Sequence, residues 1–67
     1  MESHVREYRL RAGLSQEKLA RQVDVSRQTI VNIERGITIP NVLLALAIAM
    51  VLVVTVDVLF KVVHQGR

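Results

Sequence analysis

The feature that most constrains this chain is the stretch Ser15–Gly36, in which two short helix patterns are joined by a tight turn. A serine precedes each pattern, at Ser15 and Ser26, where a hydroxyl can cap the N–H groups of a first helical turn. Asp24 lies in the turn. The apolar side of the stretch consists of Leu19, Ala20, Val23, Val25, Ile30 and Ile33. Two capped helices with a shared apolar side predict a helix-turn-helix, whose second helix fits the major groove of DNA.

The second helix of this unit, about Arg27–Arg35, carries a polar group at its start. Arg27, Gln28 and Thr29 make up its first turn, and Asn32 lies one turn further along. Glutamine and asparagine can form two hydrogen bonds with adenine, arginine can do so with guanine, and all these side chains can bond phosphate. Taken singly, each would be an ordinary surface residue of a short helix. Their combination after a tight turn favours contact with DNA.

The charge distribution also suits a polyanionic partner. The formal net charge is +3, and no lysine or arginine occurs between Gly36 and Phe60. Acidic residues are interleaved with the cations, so charge alone would be typical of a solvated surface, but charge and motif together favour double-stranded DNA. The cations of the first half are Arg6, Arg9, Arg11, Lys18, Arg21, Arg27 and Arg35.

Size and composition argue against several other kinds of site. Sixty-seven residues allow one domain with a small core, so we treat residues 1–67 as a single unit. The absence of cysteine removes disulfides and thiolate metal sites, and the polar N-terminus lacks a signal-peptide pattern, so we expect a cytoplasmic protein. His4 and His64 stand near opposite ends, without clustered carboxylates to complete a metal site. No catalytic constellation is evident, and we predict neither an enzyme nor a cofactor.

A first helix is predicted over Ser3–Ala12, with Ser3 as its N-cap and Gly13 ending it in a left-handed conformation. Its inward side is predicted to be Val5, Tyr8, Leu10 and Ala12. Its outward side is predicted to be Arg6, Arg9 and Arg11.

Two more helices are predicted after the motif. Pro40 blocks continuation of the preceding helix, and Asn41 is a natural cap for a fourth helix, Val42–Leu52. Thr55 would cap a fifth helix, about Val56–Val63. The complete pattern therefore predicts an all-α, five-helix domain with apolar fourth and fifth helices.

This pattern resembles the Cro/C1-type helix-turn-helix family of transcriptional regulators, also called the xenobiotic-response-element (XRE) family. Three stretches carry the resemblance: VREYRLRAGLSQEKLARQVDVSRQTIVNIERG, IPNVLLALAIA and VTVDVLFK. The chain looks like the minimal members that consist of one compact, lambda-repressor-like domain. The resemblance implies a homodimer that binds a palindromic operator, with half-sites about one helical turn apart, and represses by covering a promoter.

The resemblance also implies roles for individual residues. Gln16 would bond a phosphate and buttress the third helix, and Arg11 would be a further phosphate contact. Arg9 and Glu34 would form a buried or half-buried pair that ties the first helix to the third; otherwise they would form a surface salt bridge that contributes little. The implied DNA-binding residues are Gln16, Ser26, Arg27, Gln28, Thr29, Asn32 and Arg35.

The chain departs from the family pattern at several places. Positions that are usually polar in the fourth and fifth helices are apolar here: Leu43, Ala47, Met50 and Val58. Asp24 replaces the glycine usual in the turn, but aspartate tolerates a left-handed conformation. Val53 replaces the glycine usual after the fourth helix, and because a β-branched residue disfavours positive φ, this helix end is expected to be either rearranged or strained. Val58 replaces the acid that would complete a capping box with Thr55.

The segment 42–60 is apolar on every side, since 17 of its 19 residues are apolar. One stripe is predicted to close the core, and it consists of Val42, Ala45, Ile48, Ala49 and Leu52. A second stripe would remain uncovered, and it consists of Leu43, Ala47, Met50 and Val54. The predicted dimer interface is this stripe together with Val58. A helix that is apolar all round is usually buried on both sides, so a partner is expected.

Three partners fit this second stripe. We predict a homodimer through helices four and five, which agrees with two-fold operator geometry. A membrane is the second alternative, but 15 uncharged residues span only about 22 Å as a helix, and extension to Phe60 would bury Asp57 in roughly 30 Å of hydrocarbon. The third is a different protein, docked on an antitoxin-like module in which the helix-turn-helix is only a scaffold.

Overall fold

The computed structural model describes residues 3–52, and these residues are helical with no strand. Four helices follow in order: α1 (Val5–Arg11), α2 (Gln16–Gln22), α3 (Arg27–Glu34) and α4 (Val42–Leu52). The prediction of a compact all-α helix-turn-helix fold is thereby confirmed for this part of the chain. The predicted fifth helix lies outside the described residues, as do Val53, Val54 and Val58.

Side-chain caps fix the starts of three helices. The oxygens of Ser15, Ser26 and Asn41 each accept a hydrogen bond from the backbone N–H three residues further on, at 3.0, 3.2 and 2.8 Å. Each bond satisfies a donor that has no partner within its own helix. The three predicted caps are confirmed, and they explain why α2, α3 and α4 begin where the sequence pattern indicated.

The first helix differs from its prediction at both ends. It begins at Val5 after His4, which makes no capping bond, whereas Ser3 was the predicted cap. The Ser3 hydroxyl instead accepts from the Val5 N–H at 3.4 Å, a contact too long to hold the first turn firmly. Leu10 is 53% exposed and Ala12 is also exposed, so the prediction that they face inward is wrong. The helix is shorter than predicted, and Leu10 and Ala12 lie at the surface near its C-terminal end.

Three residues with positive φ shape the connections. Gly13 and Gly36 have φ of 75° and 76° after α1 and α3, and Asp24 has φ of 60° in the turn between α2 and α3. In that turn the Val25 N–H donates to the Ala20 carbonyl at 3.0 Å. The prediction that an aspartate could take the left-handed conformation of the turn is therefore confirmed.

The core lies where α2 and α3 cross and where α4 packs against α2. It consists of Val5, Leu19, Ala20, Ile30, Ile33, Ala45, Ile48, Ala49 and Leu52. Four of the five residues predicted for the inner stripe of α4 are included. Val42 is the exception, at 73% exposed, because burial along α4 begins only one turn later at Ala45.

The outer face of α4 is apolar and largely exposed. Leu43 and Met50 are 78% and 79% exposed, Leu46 is also exposed, and Ala47 is half-buried. Ile37 and Ile39, in the loop before α4, are also exposed large apolar residues. Within residues 3–52, no helix is both long and apolar enough to cross a membrane.

Candidate nucleic-acid interface

The start of α3 presents the polar residues that the sequence singled out. Arg27 and Gln28 are exposed, whereas Thr29 and Asn32 are half-buried. The Gln28 Nε2 donates to the Asn32 Oδ1 at 3.0 Å, one helical turn further along. The hydroxyls of Ser26 and Thr29 lie 3.0 Å apart. The structure thus brings these five side chains together on one end of one short helix.

The bond between Gln28 and Asn32 leaves part of each amide group unused. Gln28 keeps its carbonyl oxygen as an acceptor and one N–H as a donor, while Asn32 keeps both of its N–H groups. Adenine offers one donor and one acceptor in the major groove, which a glutamine amide can bond simultaneously. The internal hydrogen bond therefore orders Gln28 without removing its capacity to recognise a base.

Gln16, the first residue of α2, joins this surface to the interior. Its Nε2 donates to the Glu34 Oε1 at 3.1 Å, and its Oε1 accepts from the Arg27 Nη2 at 3.2 Å. The side chain therefore bridges the two ends of α3 from the neighbouring helix. One amide N–H of Gln16 remains available for a phosphate.

Arg9 and Glu34 form an ion pair between α1 and α3. The Arg9 Nε and the Glu34 Oε2 are 2.6 Å apart, and the side chains are 8% and 3% exposed. The Arg9 guanidinium also donates to the other Glu34 oxygen at 3.3 Å and to the Leu14 carbonyl at 2.8 Å. Helix periodicity predicted that Arg9 would face outward, and that prediction is wrong. Because the guanidinium finds charged and polar partners inside, its burial is compensated.

The remaining cations differ in how free they are to meet phosphates. Arg11 and Arg21 each donate to a glutamate one turn earlier on the same helix, at 3.1 Å in both cases. Arg6, Lys18 and Arg35 are exposed and form no ion pair among residues 3–52. Of these three, Arg35 is the nearest to α3 in sequence, because it directly follows that helix. Arg11 is partly neutralised, which weakens its case as a phosphate contact.

Sequence reasoning missed the contacts that link these residues. The i, i+4 spacing of Gln28 and Asn32 is a signal for their bond, because such residues are neighbours on a helix surface. No local signal pairs Gln16 with Glu34 or with Arg27, which are 18 and 11 residues away. Among the described residues, no group of three or more histidines and carboxylates could hold a metal ion.

A comparison with protein families assigns the chain. The helix-turn-helix model HTH_3 matches residues 5–59, which include α1 to α4. The chain belongs to the Cro/C1-type helix-turn-helix family. This family is one of DNA-binding transcriptional regulators and is not a class of enzymes.

Other members of the helix-turn-helix family are similar over most of their length. An uncharacterised HTH-type transcriptional regulator of Bacillus subtilis, YgzD, is 52% identical over 48 residues, which are 72% of this chain and 73% of that protein. An uncharacterised HTH-type transcriptional regulator of Archaeoglobus fulgidus is 42% identical over 60 residues, 90% of this chain and 86% of that protein.

A solved structure has the same fold. The crystal structure of a transcriptional regulator from Listeria innocua superposes with a TM-score of 0.77 at 18% sequence identity. The match covers all of this chain and 66% of the other chain. At this identity the likeness concerns the fold alone.

Proposed function

We propose that this chain binds double-stranded DNA at a specific sequence, with α3 in the major groove, and regulates transcription as a homodimeric repressor. The start of α3 carries the proposal. Arg27 and Gln28 are exposed there, Asn32 lies beside them, and the side chains retain donors and acceptors that match base edges. A helix with this composition on a rigid support has the properties that direct reading of bases requires.

Phosphate contacts would surround this reading surface. Gln16 retains one N–H group for a phosphate, and the hydroxyls of Ser26 and Thr29 lie at the start of α3. Arg35 is an exposed cation directly after α3. These contacts would fix the position of α3 on the duplex, whereas Arg27, Gln28 and Asn32 would select the sequence.

The apolar face of α4 supports the homodimer. Leu43 and Met50 are exposed and Ala47 is half-buried, and we propose that a second copy covers them together with Val54 and Val58. A two-fold pair would set two copies of α3 on a palindromic operator, with half-sites about 34–36 Å apart. We further propose that residues 1–67 act as one domain in the cytoplasm, and that promoter occlusion produces repression.

Selection of bound sequences from random DNA tests the central claim. The parent is expected to enrich a palindrome with two half-sites spaced by about one helical turn. A variant with Gln22→Met, which changes an exposed glutamine outside the site, serves as a folded control and should enrich the same palindrome. Enrichment of no sequence by the parent would contradict sequence-specific binding.

A second candidate function rests on the exposed apolar face. Leu43 and Met50 could instead dock on a different protein, as in an antitoxin-like regulator, or on a membrane. Such a module would enrich no DNA sequence, and substitutions at Arg27 or Gln28 would not change its binding to the partner protein or the membrane. The selection experiment and a pull-down with Leu43→Glu therefore separate the two functions.

A further inference from the structure

The Glu34 carboxylate serves two helices at the same time. Its Oε2 accepts from the Arg9 Nε at 2.6 Å, and its Oε1 accepts from the Arg9 Nη2 at 3.3 Å and from the Gln16 Nε2 at 3.1 Å. The side chain is only 3% exposed, so solvent does not compete for these bonds. Because the guanidinium on α1 holds both oxygens, the carboxylate offers Gln16 an acceptor in a fixed place.

The chemistry of the two neighbours determines which way the Gln16 amide faces. A carboxylate can only accept hydrogen bonds, and a guanidinium can only donate them. Gln16 lies between Glu34 and Arg27, so its NH₂ group must face the former and its carbonyl oxygen the latter. Turning the amide over would set N–H groups against N–H groups and oxygen against oxygen. The buried carboxylate therefore dictates that Arg27 meets an acceptor.

We infer that Glu34, in addition to tying α1 to α3, is a positioning residue for base recognition, because it directs the Gln16 amide and thereby holds Arg27. The inference rests on the proposed function, in which Arg27 reads a base. One of the five guanidinium N–H groups is used by Gln16, and the others remain for a two-point contact with guanine. Because Gln16 holds the Arg27 guanidinium before DNA binds, the remaining N–H groups face the major groove in one fixed orientation.

The test begins by locating the base pair that Arg27 reads. Binding of the parent and of Arg27→Ala is measured against an operator series in which each base pair is varied in turn. The position at which Arg27→Ala no longer discriminates belongs to Arg27. If Arg27→Ala still discriminates at every position at which the parent does, Arg27 reads no base and the inference is overturned. The proposed function is then judged from the parent's own selectivity.

Gln16→Met then removes the bridge but keeps the length of the side chain. We expect its discrimination at the Arg27 position to fall by about fivefold to tenfold, part of what an arginine–guanine contact contributes. Discrimination at other positions should not change, and Gln22→Met, the same substitution at the exposed end of α2, should match the parent. Uniform weakening at every position would make Gln16 a phosphate contact only and would overturn the inference.

Two further variants test the part played by Glu34 itself. In Glu34→Gln, residue 34 can donate as well as accept, so the Gln16 amide is no longer directed and discrimination at the Arg27 position should fall. The exchange variant Gln16→Glu with Glu34→Gln gives Arg27 a carboxylate acceptor again, and discrimination should return even if overall affinity is lower.

These variants also separate failure of the inference from failure of the proposed function. Unchanged discrimination in Glu34→Gln, or no recovery in the exchange variant, would overturn the inference and leave sequence-specific binding intact. If Glu34→Gln and the exchange variant do not fold, because both leave the buried Arg9 beside a neutral residue, Gln16→Met decides the question, since it keeps the pair of Arg9 and Glu34 intact. A parent that discriminates at no position would overturn the proposed function, and the inference with it.

Discussion

At the scale of single residues, the interior of this domain combines apolar packing with one charged pair. Arg9 and Glu34 are almost fully buried, and within residues 3–52 the guanidinium donates its hydrogen bonds to Glu34 and to the Leu14 carbonyl. Such a pair contributes little net free energy while both partners are present, since desolvation offsets their attraction. Removing one partner is costly, because the other charge is left buried.

We therefore expect Arg9→Met to lower the free energy of unfolding by about 3–5 kcal/mol. Urea unfolding followed by circular dichroism measures the change. Arg21→Met, which breaks an exposed pair with Glu17, is the matched control and should cost no more than about 1 kcal/mol. Equal unfolding midpoints for the two variants would show that leaving Glu34 buried without Arg9 costs no stability.

Gln28→Ala tests base reading by a single residue. The variant is expected to weaken binding to the selected operator by about 1–3 kcal/mol per half-site, since both hydrogen bonds to one base are lost. Binding to random DNA should be almost unchanged, because phosphate contacts remain. Fluorescence anisotropy at a fixed salt concentration measures both affinities. Equal specific binding by mutant and parent would exclude a base-reading role for Gln28.

At the scale of elements, the turn between α2 and α3 decides where the reading surface points. Asp24 is left-handed there, and the Val25 N–H returns to the Ala20 carbonyl of α2. The Ser26 cap then starts α3 immediately. Three consecutive residues thus supply the conformation, the anchor and the cap that fix the angle between the two helices.

Substitutions at Asp24 should show how much this conformation costs. Asp24→Gly is expected to be neutral or to stabilise the domain by up to about 1 kcal/mol, because glycine adopts positive φ without strain. Asp24→Val should destabilise by about 1–2 kcal/mol, since a β-branched residue resists it. Thermal unfolding of the two variants gives the comparison. A valine variant as stable as the glycine variant would mean that the turn changes its conformation at no cost.

Much of this local architecture could be predicted from the sequence because caps and glycines act within a few residues. Ser15, Ser26 and Asn41 each bond a backbone N–H three residues away, and Gly13 takes the left-handed conformation next to the helix it ends. The residues of a single helical turn are therefore sufficient to predict such interactions. The start of α4 followed from Asn41 in the same way.

What could not be predicted depends on distant parts of the chain. Helix periodicity predicted that Arg9 faces outward, because a periodicity argument treats every charged side chain as solvated. The acceptor for Arg9 is Glu34, which lies 25 positions away in the sequence. Along α4, an almost uninterrupted apolar run contains no polar residues to mark the faces. Val42 therefore looked equivalent to Ala45, although it lies one turn beyond the packed part of the helix.

At the scale of the whole molecule, polar and apolar surfaces are separated along the chain. The basic first half holds the residues proposed to meet DNA, while residues 37–52 contain no charge and expose a row of large apolar side chains. An exposed apolar patch of this kind on a small domain indicates a surface that a partner covers. Two-fold pairing through it would link affinity for DNA to protein concentration.

Replacing Leu43 and Met50 together by glutamate tests this pairing. We expect a monomer by analytical ultracentrifugation, because each copy would bring two charges into an apolar contact. Ala12→Glu with Gln22→Glu adds the same charge at exposed positions away from α4 and should leave the dimer intact. An unchanged dimer in the first variant would move the interface elsewhere.

The pair of Arg9 and Glu34 also bears on how long the folded domain persists. Its partners are 25 residues apart, on α1 and α3, so we expect the pair to form only when these two helices have docked and water has left. We expect an interaction completed this late to be absent from the transition state for folding. Breaking it should hasten unfolding and leave the folding rate almost unchanged, which stopped-flow kinetics would resolve. The buried charges would then set how long the domain stays folded, because they slow unfolding without changing the folding rate.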